Sequence, residues 1–256
     1  MWTSWMAAVR ALPGNRYGVE IDERGPLTAL HVREIPTPYY NRVLGITPTF
    51  VDGACEMIES YRERFTPCRV DVNPFYSSPT LLTRLNSRGF HPSEFQTNLW
   101  GDPTIVEPVN GPGVSVREVR PEEVSFFALL YERAYYGGKA PKRLSRFRME
   151  SIKARYSHPD WRFYLTLADG VPAGGGALHI SDGVASLAGG ATMYTLRGRG
   201  CQLALLNRRL MDAAELGCEL VVSRCGVGSV SQRNMERAGL QTAYTKSIWE
   251  PHLAAS

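Results

Sequence analysis

A mixed α/β fold in two halves is what this sequence predicts, and three features carry that reading. Strand-like runs alternate with helical ones through the second half, Asp-Gly pairs at 169–170 and 182–183 mark tight hairpins, and a unit of helix, glycine and strand occurs twice. At 256 residues the chain has room for two ordinary domains, and 43% hydrophobic with 21% charged residues is the composition of a globular protein.

The elements follow in order. The densest cluster of turn formers is "GDPTIVEPVNGPG", residues 101–113, near the midpoint; a linker there divides the chain into 1–105 and 106–256. Beyond it, "VSVREV" (114–119) reads as a strand. "PEEVSFFALLYERAYY" (121–136) reads as a helix opened by Pro121 and acidic residues and closed by Gly137-Gly138. "RFYLTLAD", "GGALHIS" and "VASLAGGATM", separated by the Asp-Gly pairs, form an antiparallel meander. Next come the turn "TLRGRGCQ" and a helix stopped by Gly217, whose Leu203, Leu206, Leu210 and Ala213 share one stripe. The strand "CELVVSRC" (218–225), a helix over about 231–238 and the strand "TAYTKSIW" (242–249) complete the half.

The repeat supports the division. "PTLLTRLNSRGF" (79–90) lies between "CRVDVNPF" and "FQTNLW", as "SQRNMERAGL" (231–240) lies between "CELVVSRC" and "YTKSIW"; Gly89 matches Gly239 and Trp100 matches Trp249.

The turn at 195–202 carries the chemistry. Gly198 and Gly200 allow positive φ and close approach of a ligand, and the helix that begins at once aims its unpaired N–H groups and dipole into the same turn. With Arg197 and Arg199 added, the combination suits a nucleotide pyrophosphate. The rival phosphate spellings GxGxxG in a βαβ unit and GxxxxGK[ST] are not matched. A net charge of +4 without a block of like charges argues against nucleic acid as a partner. Five cysteines, Cys55, Cys68, Cys201, Cys218 and Cys225, without metal-ligand spacing predict reduced thiols in a cytoplasm and no metal. No stretch approaches the roughly 18 apolar residues of a membrane span.

A strand ending "GGATM", the turn "TLRGRGCQ", a long helix, a buried strand and a short helix ending "NMERAGL" resemble the second half of the GNAT superfamily of acyl-CoA N-acyltransferases. That family's pyrophosphate loop follows R/Q-x-x-G-x-G/A; Arg197 and Gly200 fit, and Gln202 stands where Gly or Ala is usual. With the repeat, the resemblance implies tandem GNAT folds, each a central mixed, mostly antiparallel sheet flanked by helices. The N-terminal copy is degenerate, because its matching region reads "LGITPTFVDGACEMI" and lacks an RGxG turn. One acetyl-CoA site is therefore expected. Ala191, Thr192 and Met193 on a splayed strand would meet the pantetheine, and Arg197, Gly198, Arg199, Gly200, Cys201 and Gln202 would hold the pyrophosphate, Cys201 through its N–H rather than its thiol. Asn234 could also reach the cofactor.

The function so implied is an N-acetyltransferase acting by direct attack of a primary amine of a small molecule, amino acid or short peptide. Its acceptor pocket would be lined by residues 131–147 and by the N-terminal half. The alternatives are a non-catalytic acyl-CoA-binding regulatory module and a tRNA-dependent aminoacyl transferase; an intact pyrophosphate turn argues against the latter. The family's usual acid is a tyrosine, and Met235 stands in its place. Ser231 and Tyr244 are the substitute donors, and His179 the candidate base. Each also has a plain structural reading: Ser231 as a helix N-cap, Tyr244 as a half-buried strand residue and His179 as a structural strand histidine.

Overall fold

The computed structural model describes residues 1–105 and 111–252, so the boundary expected at 105/106 abuts residues outside the described ones. The chain divides into two compact units. One comprises Trp2–Thr97 with the chain from Tyr244 on, the other Met1 with Asn98–Ala243.

The first unit contains α1 (Trp2–Arg10), β1 (Val19–Arg24), β2 (Leu27–Val32), β3 (Arg42–Leu44), α2 (Val51–Glu63), β4 (Arg69–Val72), α3 (Pro79–Ser87) and β5 (Phe90–Gly101) as far as Thr97. Its strands run β1-β2-β3-β4, followed by the C-terminal strand and then β5. β3 and β4 pair parallel and the other recorded pairs are antiparallel. Leu27, Val43, Met57, Ile58, Val70, Leu81, Leu85 and Phe90 pack its core. A buried ion group completes it, Asp71 accepting from Arg42 at 2.6 Å and from Lys246.

The second unit contains β6 (Val114–Glu118), α4 (Val124–Tyr136), α5 (Lys142–Tyr156), β7 (Trp161–Ala168), β8 (Val171–Ser181), β9 (Val184–Thr192), α6 (Cys201–Glu215), β10 (Leu220–Gly226) and α7 (Val230–Arg237). β11 (Gln241–Pro251) begins in this unit and continues in the first from Tyr244. The strand order is β10-β9-β8-β7-β6, antiparallel from β9 to β6, with β10 parallel to β9. The expected meander is present. Asp169-Gly170 and Asp182-Gly183 all have positive φ, the backbone a two-residue hairpin turn requires. Gly137 closes α4 at φ 59°.

The structure differs from the sequence reading at three places. α5 begins within the segment 131–147 expected only as acceptor lining and runs on to Tyr156; its buried face includes Arg148, Ser151 and Arg155, polar residues that conceal the helical period. α7 starts at Val230 and is capped by Ser229, whose hydroxyl accepts from Gln232 N, so Ser231 is not the cap. The last strand, placed with 106–256, pairs instead with β4 through Trp249↔Val70, Ile248↔Asp71 and Ser247↔Val72, and Asn98–Gly101 goes with the second unit. A strand belongs where its ladder partners are, not where its chain neighbours are.

Both units carry the succession strand, helix, strand, helix, strand: β3-α2-β4-α3-β5 and β9-α6-β10-α7-β11. Among the described residues no helix is long and apolar enough to cross a membrane, and all five cysteines are free thiols.

Candidate functional site

The site is built where β9 runs into α6. Gly198 and Gly200 have φ of 78° and 82°, and Gly200 is the N-cap of α6. Among the described residues no backbone carbonyl takes the N–H groups of Gly198, Arg199, Gly200, Cys201, Gln202 or Leu203; Ala204 N is the first to bond back, to Gly200 O at 3.0 Å. Six successive donors at a helix start form an anion cradle. A Cβ on Gly198 would meet nothing within 4 Å among the described residues. Arg197 donates from Nε to Thr192 O at 3.2 Å and lies over the exposed Tyr194 ring, while Arg199 is paired with the Asp169 carboxylate. Cys201 is buried, and burial raises its thiol above the ordinary value, which is wrong for a nucleophile.

The recorded pairing of β9 with β10 ends several residues before this turn. Their parallel register runs Leu220↔Val184, Val221↔Ala185, Val222↔Ser186, after which β9 continues to Thr192 and β10 to Gly226. Along the same stretch β9 bulges. The register with β8 shifts between Gly176↔Gly190 and Ala177↔Ala188, leaving Gly189 as the extra residue at φ 71°. The strands here lack side chains over Gly174, Gly175, Gly176, Gly189 and Gly190.

That tract admits side chains from both helical layers. On the α4 side, a Cβ at Gly189 would lie 2.2 Å from Tyr131 Oη, so the hydroxyl fills the room any side chain there would need. On the α6 side, a Cβ at Gly190 would lie 3.0 Å from Gln202 Nε2 and one at Gly176 would lie 3.1 Å from Arg209 Nη1. Arg209 is 1% exposed. It donates to Leu205 O at 3.2 Å, Ala177 O at 2.9 Å and Gly189 O at 2.7 Å, thereby satisfying carbonyls on either side of the register shift. Burial lowers its pKa to about 10, so it remains a cation at neutral pH.

No family model matches the chain and no curated protein is detectably similar to it. Solved structures do match. A GCN5-related N-acetyltransferase from Kribbella flavida aligns with a TM-score of 0.65 at 19% identity, covering 98% of this chain and 96% of that one. A conserved protein of unknown function from Staphylococcus epidermidis aligns at 0.69 with 10% identity, covering 93% and 96%. A tandem GNAT protein from the clavulanic acid biosynthesis pathway aligns over 100% of this chain and 95% of its own, at 0.61 and 17% identity. The chain has the tandem GNAT fold.

Within that fold the predicted acid and base residues are scattered. Ser231 is half-buried in the first turn of α7, and Asn234, on the same helix, accepts from Arg237 at 3.3 Å. Met235 is buried in the core with Leu206, Leu210 and Leu240. Tyr244 belongs to the unit that holds the N-terminal strands, where it packs against Phe75 with ring centroids 5.5 Å apart; burial raises its phenol. His179 pairs with Trp161 and Ser186 in the β7-β8-β9 ladder. It therefore sits about 10 Å along the strand from the bulge, on the usual rise per residue. Its ring lies 4.8 Å from the Trp161 ring, and its Nε2 finds no partner among the described residues. Ala191 and Thr192 end β9 and Met193 follows it, with Met193 N bonded to Ala173 O. Tyr131 and Arg209 are not legible as a pair because they lie far apart in sequence; the glycine runs at 174–176 and 189–190 are the available signal.

His179 makes stability pH-dependent. Burial lowers its pKa from 6.5 to about 4, so the unfolded chain takes up the proton first as the pH falls. The stability it contributes is whole above about pH 6.5 and is lost toward pH 4, amounting to about 3 kcal/mol at about 1.4 kcal/mol per unit. His179→Phe should flatten the dependence of Tm on pH between 7 and 4 in a calorimetric series. An unaltered slope would assign the acid limb to other groups.

Proposed function

We propose that this protein moves an acetyl group from acetyl-CoA to a primary amine of a small molecule, amino acid or short peptide, by direct attack of the amine. The observation that carries the reading is the row of six N–H donors from Gly198 to Leu203, beside two arginines and at the end of a strand that parts from its neighbour. These donors suit the pyrophosphate of coenzyme A, and the edge of β9 from Leu187 to Thr192 suits the amides of its pantetheine arm. A binding site of this kind in the second unit fits an N-terminal unit whose corresponding turn, "LGITPTF", has Pro48 where a donor would stand.

In this reading acetyl-CoA supplies an activated thioester. The chain orients it along β9, and a backbone N–H near the bulge takes the charge that develops on the carbonyl oxygen. The free-cysteine pKa near 8.5 shows that a departing thiolate needs no strong acid. Accordingly Ser231→Ala, Tyr244→Phe and His179→Ala are each expected to lower kcat by less than about a hundredfold in steady-state thiol release with a confirmed amine. A thousandfold fall in any one, with acetyl-CoA affinity retained, would make that residue a dedicated acid or base. Buried Met235 favours a second reading, an acyl-CoA-binding module without turnover. Titration with acetyl-CoA followed by an assay of thiol release separates the two.

A further inference from the structure

The geometry points to Tyr131 as the hydroxyl that relays the proton in acyl transfer, a role that rests on the acetyl-CoA site proposed above. Three observations converge on it. Gly189, the extra residue of the β9 bulge, leaves beside the separating strands a space that Tyr131 Oη enters, within 2.2 Å of where a Cβ would be. The ring is fixed in place: it lies 5.9 Å from the Phe127 ring and 6.1 Å from the Tyr135 ring, with the Arg148 guanidinium, paired with Glu132 at 2.7 Å, 5.9 Å from its centre. Across the same glycine, the buried cation Arg209 bonds through Nη1 to Gly189 O and Ala177 O and through Nε to Leu205 O, and interacts electrostatically with Tyr131. A cation in this position favours the phenolate that is left when the hydroxyl has given up its proton.

The alternatives in the fold lack that placement. Met235 has no proton to give, and His179 lies farther along the strand against Trp161. Tyr131 stands at the bulge itself, and α4 carries it there.

The step balances. As the nitrogen–carbon bond forms and the carbon–sulfur bond breaks, the Tyr131 hydroxyl gives its proton to the departing sulfur, and the phenolate so formed takes the proton lost by the amine nitrogen. The side chain ends as it began, and an amide and a thiol are the products. Arg209 acts as a positioning residue that fixes the bulge and its charge.

The test uses the full chain, acetyl-CoA, and hydroxylamine as the acceptor probe. Tyr131→Phe removes one oxygen. Acetyl-CoA affinity by calorimetry should stay within about threefold of wild type, hydroxamate formation should fall by about a hundredfold or more, and the pH–rate profile should lose a limb. In protein labelled at the tyrosine ζ-carbon, the resonance absent from the variant should move when acetyl-CoA is added to wild type. A resonance that ignores bound acetyl-CoA, a variant within threefold of wild-type kcat, or a wild type that binds acetyl-CoA yet acetylates nothing would overturn the role. Failure of wild type to bind acetyl-CoA would instead overturn the site on which the role rests.

Discussion

Gly198→Asp and Gly200→Asp should each weaken acetyl-CoA binding by at least about a hundredfold, or about 2.7 kcal/mol. Both residues hold positive φ, a conformation that Asp tolerates better than most L-residues, and neither added Cβ meets a close neighbour. Among the described residues nothing lies within 4 Å at Gly198, and at Gly200 the nearest atom is Gly111 Cα at 3.6 Å. The fold should therefore survive. What changes is charge: a carboxylate is set among six N–H donors that would otherwise face phosphate. Two like charges about 4 Å apart repel by about 1 kcal/mol in water and about 4 kcal/mol at an effective dielectric of 20. Gly198→Ala adds the Cβ without the charge and should stay within about tenfold of wild type. Calorimetric titration with acetyl-CoA, alongside circular dichroism, measures all three. Full affinity in a folded Gly200→Asp variant would place the pyrophosphate elsewhere.

Gly175→Ala is expected to cost about 4 kcal/mol or more, in the range reserved for changes with a definite structural cause. The added Cβ would lie 2.1 Å from Tyr164 O and 2.6 Å from the Phe127 ring. Phe127 could turn aside, but Tyr164 O belongs to β7, which is held in register with β8. At roughly 2–4 °C per kcal/mol for a chain of this size, Tm should fall by roughly 8–16 °C. Gly183→Ala is the control, since among the described residues its Cβ would meet nothing within 4 Å and its φ of 72° is what resists, at about 1–2 kcal/mol. Equal losses at the two positions would show that backbone strain, not the close approach of β7, sets the requirement for glycine.

What the sequence determined by itself was local. The positive φ of Gly198 and Gly200, the helix that starts at Cys201, the Asp-Gly hairpins of the β7-β8-β9 meander and the glycine that closes α4 all follow from residues within a few positions of one another. A glycine's conformational freedom and the free N–H groups of a helix start need no distant partner, so the anion cradle was legible before any fold. The tertiary structure decided the rest. β11 passes from one unit to the other because its ladder partners lie on β4, more than a hundred residues away in sequence. α5 is not legible in the sequence because Arg148 and Arg155, buried against Glu132 and Trp161, break the apolar period of its buried face. Tyr131 and Arg209 meet across Gly189 only once α4 and α6 are packed on opposite faces of a strand with no side chains in the way. Contacts of that kind arise from packing, and a run of residues read one element at a time carries no record of what lies across the sheet.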